Sequence, residues 1–505
     1  LDQLFYLIKK LLLVRGAIFC LLIVMVFIFF PLKIIERISK LFSRLNNYFV
    51  TILFLFFIFI GVCYLFYPNF FDHVESTIAS IGTVMKKGDS LYPNPEPYPY
   101  HGILYGPALA EIQGTFNWTG LSTIVKSKLP GFIAFLFSTL ILFRISKCSA
   151  SRGYLLYLLP FGGMLFWNRP EPFLLLIVSL SILLGQNLKN KVFLSIILGA
   201  FAGAASALKI QGFVYVFAVY IAITFSKFIS IQSIILFSFF SLLSFLTFFI
   251  PQNISINAYF YYLKSSSIHG LSLRIWIDNA IYLLFLLLPF FFYYYKAKLE
   301  KVQIINLFLI FGIELFVSIL GSKPGAGAHH LLPFIPTNAI IFRKLLSNEN
   351  SVNKQLVNIL YFSLIIPSFV AALSLVLPMI NGWDKFDRAK NEVIYFESKY
   401  PGIIMGLADD STYSYTFLRV ILANTQIDYP AFMDLQYSGI GDYAFAKHFR
   451  NRRIESVLIP NGGIPFSMNN PYTSKPLFSD SVRQVFSENY ICVKIGEYFT
   501  VYSLK

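Results

Sequence analysis

YFVTILFLFFIFIGVCYLFYPNFFDHVE, residues 48–75, decides the fold. From Tyr48 to Tyr67 no side chain carries a charge. A helix of about 20 residues rises about 30 Å, the thickness of a bilayer's hydrocarbon core. Immediately beyond it come Asp72, His73 and Glu75. Apolar span first, acids at its edge: that order sets both the class of protein and where its chemistry lies.

The rest of the 505 residues repeats the first half of that pattern. Hydrophobic residues make up 56% and charged residues 13%, against about 25% charged in a soluble domain. Apolar runs near 129–145, 153–167, 173–187, 192–208, 211–226, 230–250, 278–294, 303–320, 331–345 and 355–379 predict further spans, and 11–31 is one more candidate. The fold class expected is mainly α, a polytopic membrane protein of about 11–12 transmembrane helices. The runs do not alternate as barrel strands would. A net charge of +16 comes from short Lys and Arg clusters between the runs, which reads as the bias of cytoplasmic loops, with nothing else pointing to nucleic acid. Cys20, Cys63, Cys148 and Cys492 are scattered, so neither a disulfide framework nor a thiol metal site is expected. The early apolar run lacks a small-residue cleavage pattern, so no cleavable leader is expected.

With the 33–44 cluster placed in the cytoplasm, strict alternation keeps the later basic clusters inside as well. The 68–128 loop, WNRPEP (167–172), ALKIQG (207–212), GSKPGAGAHH (321–330) and everything after residue 380 then face outward. The expectation is a multi-pass cell-membrane protein with an extracytoplasmic site. Residues 1–380 form the membrane domain and 381–505 an extracytoplasmic α/β domain, with strands at GIIMGLA, ESVLIP and YICVKIGEYFTVY.

The outer segments hold the polar residues. Val74, Ile78, Ile81 and Val84 recur at helical spacing, so Asp72 and Glu75 share a helix face. An Asp there also caps a helix, but charge at a membrane edge is costly enough to ask for a purpose. Arg169 with Glu171 can be a structural ion pair, and Lys209 can snorkel to the headgroups. The Gly-rich turn around Lys323 suits a phosphate. His329 and His330, being adjacent, are not expected to face one point on a helix, so a His–His metal pair is not expected. Glu314 sits inside a span without an assigned role, and the Asp pairs of the tail, Asp428 and Asp434 included, read as solvated turns.

In order, these segments resemble the GT-C glycosyltransferases, the protein-mannosyltransferase and aminoarabinose-transferase kind. The resemblance rests on Asp72 and Glu75, then Gly88, Leu91–Pro93, Tyr105–Pro107, RPEP at 169–172, LKIQG at 208–212 and KPGAGAHHLLPF at 323–334. It implies a sugar moved from a polyprenyl-phosphate donor to a glycan, lipid or protein acceptor in the cell envelope, with inversion at the anomeric carbon. It implies Asp72 as base or orienting acceptor, with Glu75 and Glu171 holding sugar hydroxyls. Lys209 and Lys323 would stabilise the leaving phosphate, while Arg169, Gln211, Tyr92, Tyr105, His329 and His330 line the substrate cleft. Some members carry an Asp-x-Asp metal pair where this chain has only Glu171, so no metal ligand is assigned and a divalent cation is left open as a cofactor.

Two rival readings use the same segments. A lipid-linked oligosaccharide flippase or other transporter would gather ionisable residues near the midplane and show paired repeats; here they cluster at one face. An O-antigen polymerase or ligase would lean on Arg and His in a large outer loop rather than on a first-loop acidic pair.

Overall fold

The structure is a computed structural model that describes residues 18, 20, 32–93, 102, 105–115, 120–146, 149–268, 270–294, 299–345, 351–424, 428–437 and 439–505. Among these, seven helices are long and apolar enough to cross a membrane: Tyr48–Phe66, Thr123–Ile145, Pro170–Asn187, Lys191–Leu208, Leu273–Phe291, Lys301–Leu320 and Val357–Lys399. Gly212–Ile223 and Ile231–Thr247 are apolar but shorter. The candidate span 11–31 lies almost wholly outside the described residues, as does most of the loop LYPNPEPYPYHGILYGP.

All seven coincide with runs expected to span, and two other expected runs among the described residues depart from a full helix. The 153–167 run continues a short helix, Ser149–Tyr154, as a 3-10 segment, Leu155–Leu165. Pro160 cannot donate a backbone hydrogen bond there, and Gly162 turns left-handed at φ 59°. The 331–345 run begins in the 3-10 turn Ala328–Phe334 around Pro333 and keeps only eleven residues of α-helix, Ile335–Leu345. Apolar composition measured burial in these places, not helix length.

The chain divides into two compact units. One comprises Leu1–Tyr64, Gly131–Thr247 and Leu271–Pro378. Its apolar helices pack through small residues: Gly199 and Gly203 form a G-x-x-x-G face, and a Cβ on Gly203 would lie 2.2 Å from the Ser241 carbonyl oxygen. Only glycine permits that approach of Lys191–Leu208 to Ile231–Thr247.

The other unit comprises Leu65–Pro130, Phe248–Gly270 and Met379–Lys505. It contains the acidic helix His73–Lys87 and a four-stranded sheet. The sheet runs β1 (Ile404–Met405), β2 (Ser456–Pro460), β4 (Phe499–Leu504), β3 (Tyr490–Ile495), with β1 parallel to β2 and the other pairs antiparallel. These strands match the three tail segments expected from sequence, with β4 running two residues past the last of them. Phe70 and Ala79 share one apolar core with Phe396, Ile403, Leu458 and Val501. Burying a large apolar side chain stabilises by about 1.5–3 kcal/mol, so the turn before Asp72 is anchored to the sheet domain by packing. Glu392 reinforces the sheet's hairpin by accepting from the backbone N–H groups of Glu497 and Phe499 at 3.1 and 3.0 Å.

Candidate active site

Within the first unit, three separated motifs meet at one carboxylate. Arg169 is the extended residue before Pro170–Asn187, and Pro170, with no N–H to leave unsatisfied, starts that helix. Glu171 falls in its first turn, where the helix dipole favours a negative charge. Lys209 ends Lys191–Leu208 at the opposite kind of terminus, where a cation is favoured. Gly212 makes the return possible, since a Cβ there would lie 2.1 Å from the Ala205 carbonyl. The Lys209 ammonium donates to Glu171 Oε1 at 3.0 Å, and Arg169 Nε lies 3.4 Å from Oε2. Both cations and the carboxylate are buried.

His329 and His330 complete the cluster, and here the sequence expectation is corrected. Both adjacent imidazoles reach the ion pair, their rings 4.6 Å apart. They do so because the pair offers two targets: His329 Nε2 lies 3.8 Å from Glu171 Oε1, and His330 Nε2 lies 3.3 Å from Lys209 Nζ. Burial, then the charge of Lys209, holds both imidazoles well below their usual pKa, so both are neutral near pH 7. The Gln211 side-chain amide meets the other ring nitrogen of His330, Nδ1. Tyr215 donates to the His330 carbonyl at 2.9 Å and fixes the 3-10 turn. Burial lowers the Lys209 pKa while Glu171 opposes it. Lys323 is half-buried in the turn before the His pair, lies outside this hydrogen-bonded set, and has its pKa lowered by burial.

The acidic helix belongs to the second unit. Asp72 caps it: Oδ1 accepts from the Val74 N–H at 2.9 Å, and His73 Nδ1 lies 3.6 Å from the same oxygen. Its side chain keeps 13% of its surface exposed. Glu75, one turn in, is fully buried, and the Lys128 ammonium is the charge that faces it. Lys128 also donates to the carbonyls of Tyr67 and Asn69, both at 2.7 Å, tying down the turn that presents Asp72. On the next turn Ser76 and Thr77 meet Arg419 and Asp428. Arg419 donates to Ser76 Oγ at 2.9 Å and to both Asp428 oxygens at 3.2 Å, and Thr77 donates to Asp428 Oδ1 at 2.8 Å. Asp428 is therefore a buried ion-pair partner, not the solvated turn expected from sequence. It is needed to neutralise a buried guanidinium.

Tyr92 is buried at the centre of a tyrosine cluster, 5.4 and 5.9 Å from the rings of Tyr259 and Tyr262, and donates to the Tyr105 carbonyl at 2.8 Å. Tyr105 and Tyr262 line a cleft of about 590 Å³ with Val74 and Thr77 of the acidic helix, Ser265 and Asp434. Burial, then the charge of Asp428, pushes the Asp434 carboxyl up to about 7. Asp434 too differs from a solvated turn.

The cluster residues were legible from their motifs. Lys128, Arg419 and Tyr215 were not, since their partners are distant carbonyls or hydroxyls that no local pattern marks. Among the described residues, no group of three His, Cys, Asp or Glu side chains is arranged to hold a metal ion.

No family model matches the sequence, and no curated protein matches it. Among solved structures, the chain is similar to ArnT from Cupriavidus metallidurans bound to undecaprenyl phosphate, with a TM-score of 0.54 and 11% identity over 90% of this chain and 97% of that one. It is also similar to the apo state of the same protein, with a TM-score of 0.50 and 12% identity over 91% of this chain and 97% of that one. At such identity the likeness is one of fold. The chain therefore shares its overall fold with ArnT: mainly α, with helices long and apolar enough to cross a membrane and a small C-terminal sheet.

Proposed function

We propose that the chain is an integral-membrane glycosyltransferase that moves a sugar from a polyprenyl-phosphate donor to a cell-envelope acceptor on the extracytoplasmic face. The observation that carries this reading is the convergence of Arg169, Glu171, Lys209, His329 and His330 from three motifs into one buried charged cluster. Ionisable groups among apolar helices are costly and rarely kept for the fold alone. Two cations sharing one carboxylate, with neutral imidazoles beside them, suit a second anion such as a phosphate. The fold supports the same donor class, since the ArnT of similar fold was crystallised with undecaprenyl phosphate.

The reaction is one displacement. An acceptor hydroxyl attacks the anomeric carbon, the new C–O bond forms, and the bond from that carbon to the lipid phosphate breaks with inversion. The electron pair leaves on the phosphate oxygen, a charge suited to Lys209 and Lys323 of the first unit, and the hydroxyl proton passes to a carboxylate, the role that the motif resemblance gives Asp72 of the second unit. Glu171 holds both the Lys209 ammonium and the Arg169 guanidinium, while Gln211 and Tyr215 hold His330. Glu75 and Lys128 fix the turn that carries Asp72. The Tyr105 and Asp434 cleft takes the acceptor. A divalent chelator in the same transfer assay tests whether a cation takes part.

The test is transfer in detergent from a panel of polyprenyl-phosphate sugars, wild type beside Asp72→Asn. Asn still caps a helix, so folding is preserved. Loss of a general base costs about 10²–10⁴-fold. Equal turnover by the two proteins would remove Asp72 from the reaction.

A further inference from the structure

A second cleft, of about 640 Å³, lies in the unit that holds the acidic helix and is not used by the proposed reaction. Thr83 and Lys86 line it from that helix, Gln113 from Pro107–Thr115, and Thr123, Lys126 and Ser127 from the start of Thr123–Ile145. The 420–423 segment closes the other wall. Its lining thus gathers two ammonium groups, three hydroxyls and an amide, and no carboxylate. Gln113 is nine-tenths or more buried and donates to the Ser127 carbonyl at 3.4 Å, which fixes one wall to the other.

Each lysine alone has an ordinary explanation. Lys86 lies in the last turn of its helix and offsets the dipole, and Lys126 lies in the first turn of a spanning helix, where basic anchors are common. Neither explanation accounts for lysines 40 residues apart facing one recess among hydroxyl donors. Such a lining matches a tetrahedral oxyanion: the ammonium groups supply charge and the Thr83 and Thr123 hydroxyls donate to its oxygens, while the Ser127 hydroxyl donates to the Ile124 carbonyl at 2.9 Å. Position narrows the source. Lys126 and Thr123 occupy the first turn of a helix long and apolar enough to span the bilayer, which is the depth of lipid headgroups.

We propose that this cleft is a phosphate-binding site for the headgroup of an anionic membrane lipid. The claim needs no assumption about catalysis, so it is tested by binding. The full chain is reconstituted in nanodiscs of phosphatidylcholine with or without phosphatidylglycerol, and lipid retained after release into detergent is counted by native mass spectrometry. Wild type is expected to retain phosphatidylglycerol, and Lys86→Gln with Lys126→Gln to weaken retention about thirtyfold, taking about fivefold per lysine. Thr83→Val with Thr123→Val keeps every charge and is expected to weaken it severalfold. Lys494→Gln, at an exposed lysine of β3, is expected to change nothing. Inorganic phosphate added as competitor separates the sources: weak competition supports the lipid, whereas displacement at low millimolar concentration shows the same site taking a free phosphate. Equal retention by wild type and the double lysine variant would overturn the site. A loss with Lys494→Gln as large as with the pair, or no loss with the threonine variant, would reduce it to bulk surface charge and overturn it equally.

Discussion

Two charged constellations in this molecule are built by different rules. Around Glu171 every partner is itself a motif residue: Arg169 from RPEP, Lys209 from LKIQG, His329 and His330 from the Gly-rich segment. Around the acidic helix the motif residues are Asp72 and Glu75, but what surrounds them comes from elsewhere. Lys128 faces Glu75, and the Arg419–Asp428 pair grips Ser76 and Thr77 on the next turn. A site assembled from helix ends declares itself in Pro- and Gly-marked segments. A site braced by a separate layer of side chains hides its braces.

The largest expected effect separates function from structure in the first constellation. Glu171→Ala leaves the Lys209 and Arg169 charges buried without their carboxylate, a change that costs about 3–5 kcal/mol. Thermal unfolding in detergent should show it, and transfer should fall with it. Replacing the pair together, Glu171→Leu with Lys209→Met, is expected to recover part of the stability, because an apolar pair avoids its own desolvation cost while Arg169 stays buried without its carboxylate. Transfer should stay lost. If the double variant regained transfer along with stability, the cluster would be architecture only, and the contrast with the acidic helix would collapse.

The next effect concerns the brace. Arg419 is 2% exposed and Asp428 3% exposed, so Arg419→Met leaves a buried carboxylate without the guanidinium that neutralises it. The expected cost is about 3 kcal/mol, read by urea or thermal unfolding, with Asp428→Leu added in the same chain restoring about half. Limited proteolysis should report the same order of stability. A neutral Arg419→Met would mean that the packing of Ala79 and Phe70 alone holds the acidic helix, and the second constellation would need no hidden layer.

These residues also show how far the sequence could be read. The membrane class, the four strands of the tail and the cluster residues followed from apolar length, alternation and motif order. Helix boundaries did not, because Pro160 and Pro333 sit inside runs whose composition matches a full span. The convergence of His329 and His330 was missed because the expectation imagined one target, whereas an ion pair offers two atoms 3.0 Å apart. Lys128 was missed because its ligands are the carbonyls of Tyr67 and Asn69, groups every residue possesses. Asp428 was misread because solvation and pairing look alike until the partner's position is known.

The smallest effect sharpens the comparison within one helix. Asp428 and Asp434 are six residues apart near or in Tyr429–Tyr437, yet only Asp428 has the Arg419 guanidinium against it. Asp434 feels burial and the Asp428 charge, both of which favour its protonated form, and titrates at about 7. An unfolded Asp releases its proton near 3.9. Between those pH values the folded chain therefore holds a proton that the unfolded chain has lost, and this group's contribution to stability is greatest below about 4 and declines as pH rises to about 7. Asp434 lines an open cleft, so solvent reduces the effect to about 1–2 kcal/mol. Asp434→Asn should match wild type in thermal unfolding at pH 4 and exceed it by a few degrees at pH 8. A variant that gained nothing at pH 8 would mean that Asp434 releases its proton as readily in the folded chain as in the unfolded one, and the difference between the two aspartates would vanish.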